Sequence, residues 1–269
     1  MPQSWQFALL GIVQGLTEFL PVSSSAHLVF AEALLGVQRV GVLLEAVVHV
    51  GTVAAVLVLY GRDLVSMLAA WARAPRTAAG PGRAVWLLLW TTVVTGALGF
   101  AFREPLEAMF ASVRATALQL VLTGFVLWWA REREGRSLDA MTWADAGWIG
   151  VAQAVAIVPG ISRSGITIAA GLWRGLSREE AARYSFLASV PAILGAAGYS
   201  LATEWGGAAA HGYGPGNLAL AFVTALASGV AAILWLVAFV RRGQLRAFAY
   251  YCWVVGAAVF GLSVWKGVP

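Results

Sequence analysis

The sequence predicts an all-α integral membrane protein built as an inverted-topology repeat, each half a re-entrant helix pair followed by three transmembrane helices. Three observations carry that reading. Apolar residues make up 60% of the 269 and charged residues 12%, with a mean hydropathy of +0.77, whereas a soluble domain carries about 25% charged residues. Five runs are long enough to cross a bilayer. Two more regions are apolar but broken at a proline, and they resemble one another.

Taken in order, residues 4–37 are apolar but interrupted at Pro21, which Ser23, Ser24 and Ser25 follow. The piece 24–37 reaches only about 21 Å at 1.5 Å per residue, short of a hydrocarbon core of about 30 Å. Full spans follow at 43–60 and 84–102, then a shorter one at 115–130 ending in the interfacial pair Trp128-Trp129. Residues 146–174 repeat the interruption at Pro159-Gly160, with Ser162, Arg163, Ser164 and Gly165 after it, and the spans 184–203, 217–240 and 247–265 complete the chain. Irregular backbone at membrane depth is tolerated only inside protein or along a watery cavity, so both broken regions read as re-entrant pairs whose tips meet. Gly11-Ile-Val-Gln14 precedes the first break and Gly150-Val-Ala-Gln153 the second. One membrane domain, 1–269, then holds two repeats, roughly 1–130 and 140–269, giving six full spans and two re-entrant pairs. Three crossings per half make the second half enter from the opposite side, and such a repeat places its site where the broken helices converge.

The basic residues test this topology. One side collects Arg62, Arg73, Arg76, Arg83, Arg131, Arg133, Arg136, Arg174, Arg178, Arg183, Arg241, Arg242 and Arg246, and the other Arg39, Arg103, Arg114 and Lys266. Thirteen against four is a positive-inside bias that places both termini outside. The net charge of +5 is thereby read as topology, and nucleic acid is excluded as a partner; membrane lipids are the expected surroundings. The single cysteine, Cys252, excludes an intrachain disulfide. No basic leader or A-x-A site opens the chain, so its first apolar stretch is expected to belong to the mature fold.

Chemistry is expected among ionisable residues that a membrane would otherwise exclude: Glu18, His27, Glu32, Glu45, His49 and Arg163. Gln14 and Glu18 are four apart and share a helix face. Ser23, Ser24 and Ser25 open the next helix, whose free N–H groups suit an anion. His27 lies three residues beyond Ser24, a pairing that suits nucleophile and base, although the serines could equally be caps and His27 a partner for a backbone carbonyl. In the second tip, Arg163 offers a planar fork for phosphate oxygens, and Ser162, Ser164 and Gly165 add hydroxyls and a potential nest of N–H groups. A structural role for Arg163 would require a carboxylate, for which Glu18 is the candidate. Glu45 and His49 are too few for a metal signal, and Glu32 reads as an interfacial residue.

The segment Gln14-Gly-Leu-Thr-Glu-Phe-Leu-Pro-Val-Ser-Ser-Ser-Ala-His27 resembles the N-terminal signature of the undecaprenyl-diphosphate phosphatases (the UppP or BacA family), and Pro159-Gly-Ile-Ser-Arg-Ser-Gly165 matches their second signature. The resemblance implies a bacterial cytoplasmic (inner) membrane enzyme that converts undecaprenyl diphosphate to the monophosphate with a divalent cation, Mg²⁺ or Ca²⁺. It links the chain to lipid-carrier recycling in cell-wall synthesis and to bacitracin resistance. Carried over by position, the functional residues are Gln14, Glu18, Ser24, His27 and Arg163, with Glu18 the metal ligand. Gln14 stands where the family often has Glu. Phe248-Ala-Tyr-Tyr-Cys252 stands where it often has F-x-x-Y-R.

The expected reaction brings the polyprenyl diphosphate between the tips. Arg163 and local N–H groups then offset its charge, and Ser24 attacks with help from His27; His27 or a metal-bound water is the alternative nucleophile. Gln14, Ser23, Ser25, Ser162, Ser164 and Gly165 are expected to line the substrate. Two other classes fit parts of the pattern. A carrier for polyprenyl phosphate would use the same repeat. The type 2 phosphatidic acid phosphatases share a faint Ser-x-His likeness, but their K-x₆-R-P and H-x₃-D elements are missing. The sequence leaves the oligomeric state open, a homodimer included.

Overall fold

A computed structural model describes residues 4–35, 42–74, 80–102, 112–131, 135–208 and 214–267. Among these, ten α-helices follow one another: α1 (Ser4–Phe19), α2 (Ser24–Leu35), α3 (Val42–Arg73), α4 (Pro81–Ala101), α5 (Val113–Trp129), α6 (Trp143–Val155), α7 (Arg163–Trp173), α8 (Arg178–Ala208), α9 (Pro215–Arg241) and α10 (Leu245–Lys266). The helices α3, α4, α8, α9 and α10 are long and apolar enough to cross a membrane. Large apolar side chains such as Leu57, Val93, Phe100, Leu122, Leu234 and Val254 face outward, as expected where lipid is the solvent. The protein is an all-helical, multi-pass membrane protein.

Local signals set the helix ends. Ser112 caps α5 by accepting the Ala115 N–H, and Ser162 caps α7 through the Gly165 N–H. Thr142 and Asp145 form a reciprocal capping box at the start of α6. Pro81 and Pro215 occupy the first turns of α4 and α9, where a missing N–H costs nothing. α2 has 12 residues and α7 has 11, about 18 and 17 Å at 1.5 Å per residue, so neither crosses a bilayer. α5, the shortest expected span, has 17 residues.

Two expected loops are partly helical. α3 continues to Arg73 and α8 begins at Arg178, where hydropathy placed loops at 61–83 and 174–183. Loss of apolar character marks where lipid ends, not where backbone hydrogen bonding must stop. Arg39, Arg76, Arg103, Arg133 and the Glu32 side chain lie outside the described residues.

The helices interlock across the halves of the chain: α1 packs on α9 and α6 on α4, while α3 meets α8 and α5 meets α10. Glycine makes the first contact close. A Cβ on Gly11 would lie 2.1 Å from Thr224 Oγ1, and one on Gly15 would lie 2.0 Å from Ser228 Oγ and 2.4 Å from the Ala225 carbonyl oxygen. Small residues four apart are the usual means of close approach between membrane helices. Gly15→Val should therefore push α1 off α9 and cost about 1–3 kcal/mol, read as a lower unfolding midpoint in detergent. An unchanged midpoint would show that α1 does not depend on this contact.

A polar knot holds the end where α6 starts and α7 finishes. Asp145, fully buried, accepts from Arg174 Nε at 2.7 Å, from Arg136 at 3.2 Å and from the Thr142 N–H at 2.8 Å; Arg136 also donates to the Arg174 carbonyl. Burial alone would raise the Asp145 pKa, but the bonds from Thr142 and Arg174 and the charge of Arg136 outweigh it and hold the carboxyl below the usual carboxylate range. A depressed carboxylate stabilises the fold at pH values above its unfolded pKa, 3.8, and that contribution disappears as pH falls through the lower folded value. Asp145→Ala should cost about 2 kcal/mol at pH 7, less than a wholly buried pair because both guanidinia reach water. The difference from wild type should shrink as pH falls below 4; a constant difference from pH 7 to 3 would contradict this.

Candidate functional site

The chain reverses twice at buried turns. At the first tip Pro21 ends α1, and Ser23, at φ 68°, turns the backbone so that α2 starts at Ser24. A non-glycine residue in this left-handed region is strained unless its surroundings hold it. Here the Ser23 hydroxyl meets Ser25 Oγ at 3.1 Å and accepts the Ala26 N–H at 3.4 Å. At the second tip Gly160 takes φ 91°, and a Cβ there would lie 2.4 Å from the Thr116 carbonyl oxygen. Thr123 clamps that turn, donating to the Gly160 carbonyl at 2.9 Å and accepting the Ser162 N–H at 3.0 Å. The tips touch: Ser164 donates to the Leu20 carbonyl at 3.0 Å, and the Gly160 N–H reaches Ser25 Oγ at 3.4 Å.

Their junction gathers the chemistry on Glu18, in the last turn of α1 and 7% exposed. Oε1 accepts from Arg163 at 2.5 Å. Oε2 accepts from the Ser24 hydroxyl at 2.6 Å and from Gln14 Nε2 at 2.8 Å. His49, four residues beyond Glu45 on α3, brings Nε2 to 3.8 Å from Oε2, with its Nδ1–H donating to the Glu45 carbonyl at 2.7 Å. A carboxylate buried in lipid is expensive alone; here guanidinium, hydroxyl and amide donors surround it. Arg163 gives a second N–H to the Ser185 carbonyl at 3.4 Å. Two of its five donors are then engaged within the described protein, leaving three without an acceptor among the described residues. Ser185 in turn meets Thr167 Oγ1 at 2.7 Å, and Thr167 donates to the Arg163 carbonyl at 2.7 Å, so the arginine is held from below.

The structure thus brings Gln14, Glu18, Ser24 and Arg163 together, and the carboxylate partner that a structural arginine requires is Glu18. The pairing of Ser24 with His27 is replaced. The Ser24 hydroxyl goes to Glu18, while His27 donates Nδ1–H to the Ser23 carbonyl at 2.8 Å and accepts at Nε2 from the Tyr251 hydroxyl, also at 2.8 Å. The two rings stack with centroids 5.7 Å apart. Ser162, Ser164 and Gly165 direct their polar groups into the cap of α7 and the junction of the tips, and Ser23 caps α2. Ser25 sits between the tips. One participant was missed from sequence, and another was named among the ionisable candidates but given no role. His49 was set aside as half of an isolated pair. Tyr251 lies 224 residues from His27, and its only signal was the tyrosine pair in Phe248-Ala-Tyr-Tyr-Cys252.

Among the described residues no cluster of three or more His, Cys, Asp or Glu has metal-binding geometry. Hard oxygen donors are nevertheless present: Glu18 Oε2 and Gln14 Oε1, which is buried without a donor. One carboxylate and one amide oxygen fit a hard dication only when the substrate's phosphate supplies the other oxygens.

The family model for "Bacitracin resistance protein BacA" matches residues 7–258. An undecaprenyl-diphosphatase of Desulfatibacillum aliphaticivorans is 42% identical, covering 94% of this chain and 96% of its own. The protein of that name in Syntrophotalea carbinolica is 43% identical, covering 95% and 97%, and the one in Salinibacter ruber is 42% identical over 97% and 98%. With the match running through both tips and nearly the whole length, the chain belongs to the bacitracin resistance protein BacA family.

Proposed function

We propose that the protein hydrolyses undecaprenyl diphosphate to undecaprenyl phosphate and inorganic phosphate, recycling the lipid carrier of cell-wall synthesis and so bearing on bacitracin resistance. The observation that carries this reading is the Glu18 carboxylate shared by Ser24 and Arg163 where the two tips meet. The polyprenyl tail stays among lipid chains and the diphosphate enters beside Arg163. Its oxygens take the free guanidinium donors and compete with Glu18 Oε1 for the engaged one, which frees the carboxylate to accept a proton from Ser24 at Oε2.

Ser24 Oγ then attacks the terminal phosphorus as its proton passes to Glu18. The bond from that phosphorus to the bridging oxygen breaks, and undecaprenyl phosphate leaves. Glu18 returns its proton to the solvent as undecaprenyl phosphate departs and is again a carboxylate. It then deprotonates a water that attacks the phosphoserine. The bond from phosphorus to Ser24 Oγ breaks, inorganic phosphate leaves, and Glu18 hands the proton back to Ser24 Oγ. Positioning and charge stabilisation supply most of the rate in such transfers. Mg²⁺ or Ca²⁺ would be held by Glu18 and the Gln14 amide oxygen together with the substrate, and would supply further charge neutralisation. His27 orients the start of α2 through the Ser23 carbonyl.

The same reading takes the fold as an inverted repeat of residues 1–130 and 140–269 in the bacterial inner membrane, both termini outside. Exchanging the halves maps α1–α9 onto α6–α4 and leaves the α3–α8 and α5–α10 contacts unchanged, and each tip is capped by a serine bonded to the hydroxyl two residues on. A homodimer is compatible with this arrangement.

The experiment is phosphate release from undecaprenyl diphosphate by purified protein in detergent, where no transport is scored. Wild type should turn over with Mg²⁺ or Ca²⁺ and Glu18→Ala should lose at least 10²-fold. A protein that binds the lipid but releases no phosphate with either ion would be a carrier instead.

A further inference from the structure

Away from the tips, a polar cavity of about 400 Å³ opens where α5, α7, α8 and the α9–α10 turn end together, lined by Ala130, Arg131, Leu172, Arg178, Gly243, Leu245 and Arg246. We propose that it binds the phosphate of an anionic membrane-lipid headgroup. The site is separate from the catalytic cluster. Leu172 lies near the far end of α7 from Arg163, about 14 Å along the axis, so the inference does not depend on the proposed reaction.

Three arginines converge on one cavity. The acidic residues described on the adjoining turn of α8 point elsewhere, Glu179 to Arg241 at 3.1 Å and Glu180 to Arg183 at 3.6 Å. Among the described residues neither Arg131 nor Arg246 forms an ion pair. Arg246 instead lies over the Trp128 ring, 4.6 Å from its centroid. Arg178 and Leu245, the first residues of α8 and α10, both line it, which brings the positive ends of two helices to the cavity. A concentration of positive charge this dense favours a phosphate group over neutral polar ligands.

The surroundings identify a lipid as the source. Trp128 packs against Tyr250 and Trp253 with centroids 5.6 and 5.5 Å away, and Trp173 donates to the Trp129 carbonyl at 3.2 Å. Tryptophan and tyrosine gather in this way at headgroup level, and basic pockets between membrane helices on the arginine-rich side suit anionic headgroups. Ala130, Leu172 and Leu245 supply apolar walls for the glycerol and upper acyl chain. A phosphatidylcholine headgroup would bring its own cation against the Arg131 and Arg246 guanidinia, so the site should discriminate between the two.

The test is native mass spectrometry of the full-length protein in neutral detergent with phosphatidylglycerol, phosphatidylcholine or inorganic phosphate added, alongside its unfolding midpoint. Wild type should retain phosphatidylglycerol at least tenfold more than phosphatidylcholine, and phosphatidylglycerol should raise the midpoint. Arg131→Gln/Arg246→Gln should lose that preference at least tenfold while releasing phosphate at the wild-type rate. Should that variant fail to fold, Gly243→Asp decides alone, aspartate being among the residues that tolerate the φ of 69° at this turn. A Cβ at 243 would lie 3.2 Å from the Arg178 guanidinium carbon, so the new carboxylate fills the site from within and should abolish the lipid effect. Undiminished phosphatidylglycerol retention in the variants, or equal retention of phosphatidylcholine, would overturn the proposal. So would inorganic phosphate displacing the lipid at equal concentration.

Discussion

Arg163→Ala is expected to lower kcat/KM for undecaprenyl diphosphate by about 10³-fold or more, the largest single loss in the site. Three of its five donors have no acceptor among the described residues, and no lysine or second arginine is described beside Glu18 to replace them. Arg163→Lys keeps the charge but not the fork and should recover less than about tenfold of the loss. The alanine variant also leaves Glu18 without its ion-pair partner, a structural cost distinct from catalysis. Glu18→Gln added to Arg163→Ala should restore the unfolding midpoint and leave turnover absent, which separates the two effects. Phosphate release near wild type from Arg163→Ala, with the midpoint unchanged, would remove the guanidinium from the reaction.

Much of this site was readable because the membrane makes polar residues conspicuous. Glu18 and Arg163 stand out against apolar runs, and Pro21 and Pro159 announce the turns that let α2 and α7 stop short of crossing. The helix order followed from hydropathy for the same reason. What periodicity misplaced was the partner of Ser24. Three-residue spacing puts Ser24 and His27 on one face of α2, but the positive φ of Ser23 folds the start of that helix back against the last turn of α1. The direction of a turn is set by one backbone torsion, and a serine string does not disclose it. His49 and Tyr251 were hidden differently: each reaches the site from a distant helix, and contacts between helices leave no periodic trace. The Gly11–Gly15 contact with α9 escaped notice because both glycines also fit an ordinary apolar helix.

Ser24→Ala should lower kcat by about 10³-fold or more with little change in KM, because in the proposed reaction the hydroxyl forms and breaks the bonds while Arg163 holds the substrate. Its hydrogen bond to Glu18 Oε2 at 2.6 Å is the geometry of a nucleophile with its base, and no other hydroxyl among the described residues donates to Glu18. A covalent phosphoserine follows from that assignment. Brief mixing with substrate labelled in the terminal phosphate and an acid quench should leave label on Ser24 in wild type and none in the alanine variant. His27→Ala and Tyr251→Phe act one step away, through the Ser23 carbonyl and the stacked ring pair, so each should cost about tenfold and leave labelling of Ser24 intact. The opposite pattern, with Ser24→Ala active and label on His27, would transfer the nucleophile's role to the imidazole. That outcome would require Tyr251 to release Nε2 before each turnover, and Tyr251→Phe would then accelerate the reaction rather than slow it.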